Sequence, residues 1–439
     1  MIDITRPTMI LMLNGVEVSR HRSEVEAMES ASENGPGEYT LVRPDAKITV
    51  DGCDTPEPVE PDPVEPDPDP PVEPDPDPVD PVTPIEPPTS SQLPISYIGG
   101  ARITQGTVGE SRPAWTPGAI SVTDDGMWMA GHDQHNSYGK FGLPSEWVDT
   151  YDRAQMVYMP NIVPFARVDI GSSLRMRVTG LYEDQDDRLM VNIAGYYDAN
   201  GSNKKDMFVI ENGVQSAPYK IQGGAHAIGW MGKTPDQWLD DVGPYYMGYA
   251  SNIPINQRLS HGPSLFGWSG DPDSEELVLA KSTDGKTDLS VPTKRLMDFP
   301  LSDPMGQHNR TWPEPASPLW NVLSHVSIAF IHGDDYIAIG RTAGLRSGIG
   351  YKEIRDAEGN LIRKSKLDGW LTGEEDDSYA YYWKFKMRDI LDAASPELPR
   401  PYEYGILDIP FVVHGGSYVD GILYLFDKKL QTVYKYQVI

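Results

Sequence analysis

The sequence has a single cysteine, Cys53, which excludes an intrachain disulfide. It has no run of 18 apolar residues, so no membrane-spanning helix is expected. The opening stretch MIDITRPTMILMLNGVEVSR lacks the basic leader, long apolar segment and small-residue cleavage site of a secretory signal. Positive charge is scarce: 37 Lys and Arg face 65 Asp and Glu, for a net charge of −28. A surface of that sign repels phosphate backbones and anionic lipid, so neither nucleic acid nor membrane is expected as a partner. Helical periodicity is nearly missing, with Trp383–Ala394 (WKFKMRDILDAA) the best short stretch. No G-x-S-x-G elbow and no P-loop occur.

What is present first is an acidic proline tract. Residues 54–90 hold fifteen prolines and twelve Asp or Glu, with no Lys or Arg. Proline fixes φ and withholds a backbone donor, so neither helix nor sheet ladder can form there. The expectation is polyproline II, stiffened by charge repulsion, at roughly 3.1 Å per residue. Such a tract could hold two objects about 100 Å apart. It supplies −12 of the net charge, leaving −16 on the remainder. Three segments follow: a small head (residues 1–53), an acidic proline-rich linker (54–93) and a large body (94–439).

In the head, residues 8–13 (TMILML) and 16–21 (VEVSRH) flank Asn14-Gly15, the pair that accepts a type I′ hairpin turn. Ser23 with Glu26 forms a capping box, and Asn34-Gly35-Pro36-Gly37 stops the helix it opens. Strands at Glu38–Val42 and Lys47–Val50 complete a ββαββ sketch. So small a unit buries little surface. It reads either as a self-sufficient mini-domain or, by preference, as a docking peg completed by partner subunits. The segment RHRSEVEAMESASENGPGEYTLVRPD resembles the short anchor modules near the N-termini of tailed-phage structural proteins. That resemblance covers residues 1–52 and implies docking on capsid or tail proteins.

The body has a different texture: all ten tryptophans and 22 of the 23 tyrosines lie beyond the proline tract. Short alternating strands are bounded by Gly, Asp, Asn and Pro turns. Five segments repeat a scheme of small residue, apolar strand, Asp/Gly turn and apolar strand, some only in part: Gly118–Asp133, Arg188–Asp198, Gly262–Asp271, Val326–Arg341 and Gly415–Val438. The expected fold class is mainly β, with a C-terminal β-propeller of five blades and six as the alternative count. A β-sandwich ranks second. Residues Gln431–Val438 are placed to close the ring against Ile95–Gly99. The stretches 229–268 and GGSYVDGILYLF look like the five-bladed propellers of glycan-active proteins and of some phage appendage proteins.

Chemistry is carried by a few constellations. In Gly131-His132-Asp133-Gln134-His135 an extended chain puts Asp133 and His135 on one face, with no third metal ligand specified. Ordinary turn chemistry is the first reading there, and a polar loop mouth that hydrogen-bonds sugar or backbone is the functional one. Arg258 and His261 flank Ser260; propeller-type polysaccharide lyases resemble this in using His, Tyr and Arg at the channel mouth, and Tyr245, Tyr246 and Tyr249 lie just upstream. Tyr196-Tyr197, Tyr379, Tyr381-Tyr382 and Trp383 add rings of the kind that stack on sugars. The candidate glycan-binding set is therefore His132, Asp133, His135, Tyr245, Tyr246, Arg258, His261, Tyr381 and Trp383, with no catalytic or metal residue assigned.

Acidic loop tips at Asp198–Asp206, Asp284-Gly285 and Asp356–Asn360 offer oxygen ligands for weak calcium but lack the glycine and glutamate of an EF-hand. Ordinary turns are the first reading there, and no cofactor is expected otherwise. Gly344–Gly350 reads as a loop, with no helix to present its amides. The aggregate expectation is a bacteriophage fibre, spike or decoration protein. It would sit on the virion surface, reach the outside by host lysis, form a homo-oligomer (a trimer by analogy with fibres) and bind host glycan. The alternative is a polysaccharide lyase or glycosidase.

Overall fold

A computed structural model describes residues 93–439 except 171–175, 185–187, 196–204, 252–258, 269–277, 282–286, 301, 307–318, 321–323, 344–352, 356–360 and 365–377, together with three strands nearer the N-terminus. The chain divides into two compact units, Met1–Val82 and Thr83–Ile439. In the first unit β1 (Met9–Leu13) pairs antiparallel with both β2 (Val16–His21) and β3 (Tyr39–Val42). The expected helix after Ser23, the strand Lys47–Val50 and the proline tract lie outside the described residues.

The second unit is mainly β and forms a five-bladed propeller. Residues before the first blade supply β4 (Ile95–Ile103). Blade 1 holds β5 (Ile120–Thr123), β6 (Gly126–Ala130), β7 (Ser137–Phe141) and β9 (Asn161–Arg167), with β8 (Tyr158–Met159) pairing instead on β4. Blade 2 holds β10 (Met176–Glu183), β11 (Leu189–Gly195), β12 (Met207–Glu211) and β13 (Val214–Gln215). A short β14 (Lys220–Ile221) leads to blade 3: β15 (Trp230–Lys233), β16 (Tyr245–Gly248), β17 (Leu265–Trp268) and, after the inserted hairpin β18 (Val278–Lys281) and β19 (Thr287–Val291), β20 (Thr293–Met297). Blade 4 holds β21 (His325–His332), β22 (Asp335–Ala343), β25 (Ser378–Lys386) and β26 (Glu403–Ile406), with the hairpin β23 (Glu353–Arg355) and β24 (Leu361–Lys364) inserted. Blade 5 is β27 (Gly415–Val419), β28 (Ile422–Asp427) and β29 (Thr432–Val438), completed by β4.

The inner strands β5, β10, β15, β21 and β27 neighbour one another in a closed circuit. Closure joins the two ends of this unit: β29 pairs antiparallel with β4, from Val438 opposite Ile95 to Thr432 opposite Arg102. This is the expected pairing of Gln431–Val438 with Ile95–Gly99, extended by a few residues. Circular closure leaves no long free edge between first and last blade.

Turn chemistry sets the hairpins. Asp420 and Gly421 join β27 to β28 with φ of 47° and 81°, and Asn212 and Gly213 join β12 to β13 with 50° and 76°. Both pairs have the two positive φ values that a type I′ turn demands and that Asn, Asp and Gly accept. Between blades the packing is face to face, so central strands are buried on both sides; β7, β11 and β17 are buried along their whole length. Met190, Met207 and Val209 of blade 2 pack on Met231, Met247 and Phe266 of blade 3, and Ala101, Ile103 and Phe426 of blade 5 on Ile120, Met127 and Phe141 of blade 1.

Each of the five repeat-like segments falls in a different blade. Gly118–Asp133, Val326–Arg341 and Gly415–Val438 cover the first hairpin of a blade, while Arg188–Asp198 covers a second strand and Gly262–Asp271 a third. The helix expected over Trp383–Ala394 is much shorter: Trp383–Lys386 finishes β25, and one helical turn spans Met387–Leu391. Cross-strand pairing of Trp383 with Ala338 and of Lys384 with Ile337 overrides the local helical pattern.

Candidate functional site

The inner strands enclose a narrow axial channel with room for little more than a water molecule or two, about 30 Å³, lined by one or more residues of every blade, among them Ser121, Thr179, Met231, Ser327 and Ser417. Hydroxyls lock the inner strands together around it. Ser417 accepts from the Val122 amide at 2.9 Å, Ser327 donates to the Val413 carbonyl at 3.0 Å and Thr179 donates to the Ile228 carbonyl. Thr179 and Ser327 both sit at register shifts, a bulge that turns an otherwise paired residue toward the neighbouring blade. Where blades 5 and 1 meet, Gly118 and Gly415 touch backbone to backbone. A Cβ on Gly415 would strike the Gly118 carbonyl, and one on Gly118, at φ 113°, the His414 carbonyl.

Inner strands begin, and second strands end, at the same end of the channel. A polar cluster gathers at this mouth from blades 4, 5, 1 and 2, joined by a tyrosine from blade 3. Blade 1 contributes Asp133, just past β6; blade 2 contributes Arg177, the second residue of β10. The Arg177 fork grips both Asp133 oxygens, Nε at 2.6 Å from Oδ1 and Nη2 at 2.9 Å from Oδ2. Blade 4 contributes His325 at the start of β21 and its cross-strand partner Arg341 on β22. Blade 5 contributes Lys428 directly after β28 and His414 directly before β27. From blade 3, Tyr249 meets the His325 ring edge to face at 6.1 Å.

Three cations, Arg177, Arg341 and Lys428, share this space with the carboxylate of Asp133, and their electrostatics show it. Burial, reinforced by Arg341 and Arg177 and opposed by Asp133, brings the Lys428 ammonium down to about 7. Burial and the Arg177 charge bring Arg341 down to about 10. His325 is held well below the usual imidazole range by burial and then by Arg341, Lys428 and Arg177. His414 is lowered by burial first and then by Arg341, Lys428 and Lys429, although its Nδ1 lies 3.6 Å from Asp427 Oδ1. Among the described residues neither Arg341 nor Lys428 has a salt-bridge partner. Both are half-buried: walled by protein, yet reached by solvent.

The expected site residues divide sharply. His132, Asp133 and His135 are at the mouth, in a tight turn. His132 Nδ1 accepts from the Gln134 amide at 3.1 Å, His135 Nδ1 pairs with Ser111 Oγ at 3.0 Å, and the two imidazoles stack at 4.7 Å. His261 is on the segment joining β16 to β17 but is buried, its amide donating to the Phe299 carbonyl at 2.7 Å. Arg258 lies outside the described residues. Tyr245 and Tyr246 open β16 at the opposite end of the channel, Tyr245 paired with Lys233, the last residue of β15. Tyr246 is 2% exposed, and Tyr245 packs edge-on against Tyr182 at 5.7 Å. Tyr381 and Trp383 are core residues of blade 4. Their rings pack on each other at 5.1 Å, and Trp383, fully buried, donates its indole N–H to the Leu319 carbonyl at 2.7 Å. The faces of Tyr246, Tyr381 and Trp383 are thus taken up by packing and offer nothing for a sugar to stack on.

Sequence reading missed Arg177, Arg341, Lys428, His325, His414 and one aromatic, Trp115. That tryptophan is 76% exposed, has φ 60°, and its carbonyl accepts the Asp133 amide at 3.0 Å. A bulky residue in the left-handed region is an outlier worth a functional question. Among the described residues no three His, Cys, Asp or Glu side chains converge as metal ligands. The acidic loops Asp198–Asp206, Asp284-Gly285 and Asp356–Asn360 fall largely or wholly outside the described residues. No protein-family model matches the chain, and no curated protein matches it.

Proposed function

We propose that this chain is a bacteriophage structural protein that binds host-surface glycan at the mouth of its propeller. The observation that carries the binding half is the polar cluster at one end of the axial channel: Arg341 and Lys428 lie close to each other and to Arg177, have no salt-bridge partner among the described residues, and have an exposed tryptophan hydrogen-bonded to Asp133 nearby. Concave, pre-formed sites with a few convergent polar groups are where small ligands and sugars are held. The virion half rests on the head's resemblance to tailed-phage anchor modules and on the linker composition. In this reading residues 1–53 dock on capsid or tail proteins, and the propeller faces the host from the virion surface. A homotrimer would multiply weak individual contacts.

The test removes each part separately. Particles carrying a protein lacking residues 1–53 should lose it; continued incorporation sinks the docking role. Particles lacking residues 94–439 should adsorb poorly to host cells; normal adsorption sinks the receptor role.

A second reading, a polysaccharide-degrading enzyme, is favoured by one feature. Arg177, Arg341, His325 and Tyr249 meet at the mouth, the residue types that polysaccharide lyases of this architecture employ. Incubation with host polysaccharide, followed by chromatography for shortened products, separates the two readings.

A further inference from the structure

We propose that the mouth selects saccharides carrying an anionic group, which Arg341 and Lys428 hold while Trp115 supports the sugar ring; this rests on the glycan-binding reading above. Arg341 stands opposite His325 on adjacent strands of blade 4, and Lys428 follows β28 in blade 5, next to His414 and Asp427. Arg177 is already committed to Asp133 through two short contacts. Among the described residues Arg341 and Lys428 have no such carboxylate. Two half-desolvated cations this close repel each other, and an arriving carboxylate or sulfate replaces that repulsion with charge-assisted hydrogen bonds.

The charge of the whole chain sharpens the selection. Outside the proline tract the net charge is −16, so anions are repelled in general and a cluster of uncompensated cations stands out as a favourable place for an anionic glycan. A neutral sugar would leave both cations uncompensated and has no comparable reason to settle there.

Trp115 supplies the independent observation. It is held at φ 60° with its carbonyl on the Asp133 amide, while 76% of its surface stays in solvent. An exposed ring contributes little packing, and the backbone conformation favours glycine. A tryptophan there is explained by what it offers a ligand: a flat apolar face for the C–H side of a sugar, one hydrogen bond away from the Asp133–Arg177 pair.

Calorimetric titration of the full-length chain tests this. The probes are oligosaccharides of hyaluronate (carboxylate), oligosaccharides of keratan sulfate (sulfate), and hyaluronate oligosaccharides with the carboxyls reduced to alcohols. Binding to at least one anionic probe is expected, with the reduced probe about tenfold weaker or worse. Which anionic probe binds separates carboxylate from sulfate. Arg341→Gln and Lys428→Gln should each weaken the anionic probe about tenfold, and Trp115→Gly about fivefold, with melting unchanged or raised.

Equal binding of charged and reduced probes overturns the anion inference while leaving glycan binding standing. Anionic binding untouched by Arg341→Gln and Lys428→Gln overturns it too. Failure of every probe, charged and neutral, takes down the glycan-binding reading itself. Should a variant unfold, the wild-type preference between hyaluronate and its reduced form still decides.

Discussion

Two lysines at opposite ends of the same channel show how burial can serve structure or function. Lys140, near the far end, has a side chain 5% exposed and is fully answered: Asp125 at 2.7 Å, Glu183 at 2.9 Å and the Trp128 ring at 4.9 Å. Its pKa is raised, because although burial pushes it down, the hydrogen bonds its ammonium donates to Asp125 and Glu183 more than offset that. Lys428, at the mouth, is pushed the other way, to about 7, by burial and by two guanidinium groups. The far-end lysine ties blade 1 to blade 2. The mouth lysine is held in a state that Asp133 opposes only in part, with no salt-bridge partner among the described residues. Stability explains the first and gives no account of the second.

The contrast predicts opposite signs for one substitution. Lys140→Met should destabilise by about 3 kcal/mol, since it strands Glu183, half-buried and without its partner. Lys428→Met should be neutral or stabilising by about 1 kcal/mol, because it removes like-charge repulsion. Urea denaturation midpoints check both; matching losses at the two sites would erase the distinction.

A pH series sharpens it. Lys428 loses its proton at about 7 in the folded protein against an ordinary value of 10.5, so between those values the unfolded chain binds more protons. Stability therefore rises with pH across that window, on account of this group. Below the ordinary imidazole value of 6.5, the unfolded chain protonates where folded His325 and His414 do not, so stability falls as pH drops from about 6.5 toward 5. Unfolding midpoints between pH 5 and 9 should show both slopes in the wild type. Lys428→Met should flatten the alkaline one while sparing the acidic one.

The smallest effect concerns Trp115. Trp115→Gly should leave stability unchanged or raise it by about 1 kcal/mol, since glycine accepts φ 60° without penalty. A loss of 2 kcal/mol or more, by the same urea midpoints, would mean that the ring packs after all and is no rim platform.

The ring architecture was legible because blade hairpins are local. Asp420-Gly421 with its flanking apolar strands, and the strand-forming run at Gln431–Val438, announce themselves within a few residues. The mouth was only partly legible. His132, Asp133 and His135 are neighbours in sequence, so their clustering could be seen. Arg177, His325, Arg341 and Lys428 come together only because separate blades begin and end at the same place; no spacing in the chain encodes that.

Tyr246 and Trp383 misled for a different reason. A strand buried on both faces carries aromatic residues as densely as a displayed binding patch, and sequence alone does not distinguish the two. Trp115 went unseen because its significance lies in φ and exposure, neither of which composition reveals.

The most direct measurement is the titration of Lys428 beside that of Lys140, by NMR of ¹³C-dimethylated lysines assigned with Lys→Arg variants. Lys428 is expected to titrate near 7 and Lys140 above its ordinary value. If both titrate together near 10.5, the mouth holds no uncompensated charge, and its reading as an anion-selective site is wrong.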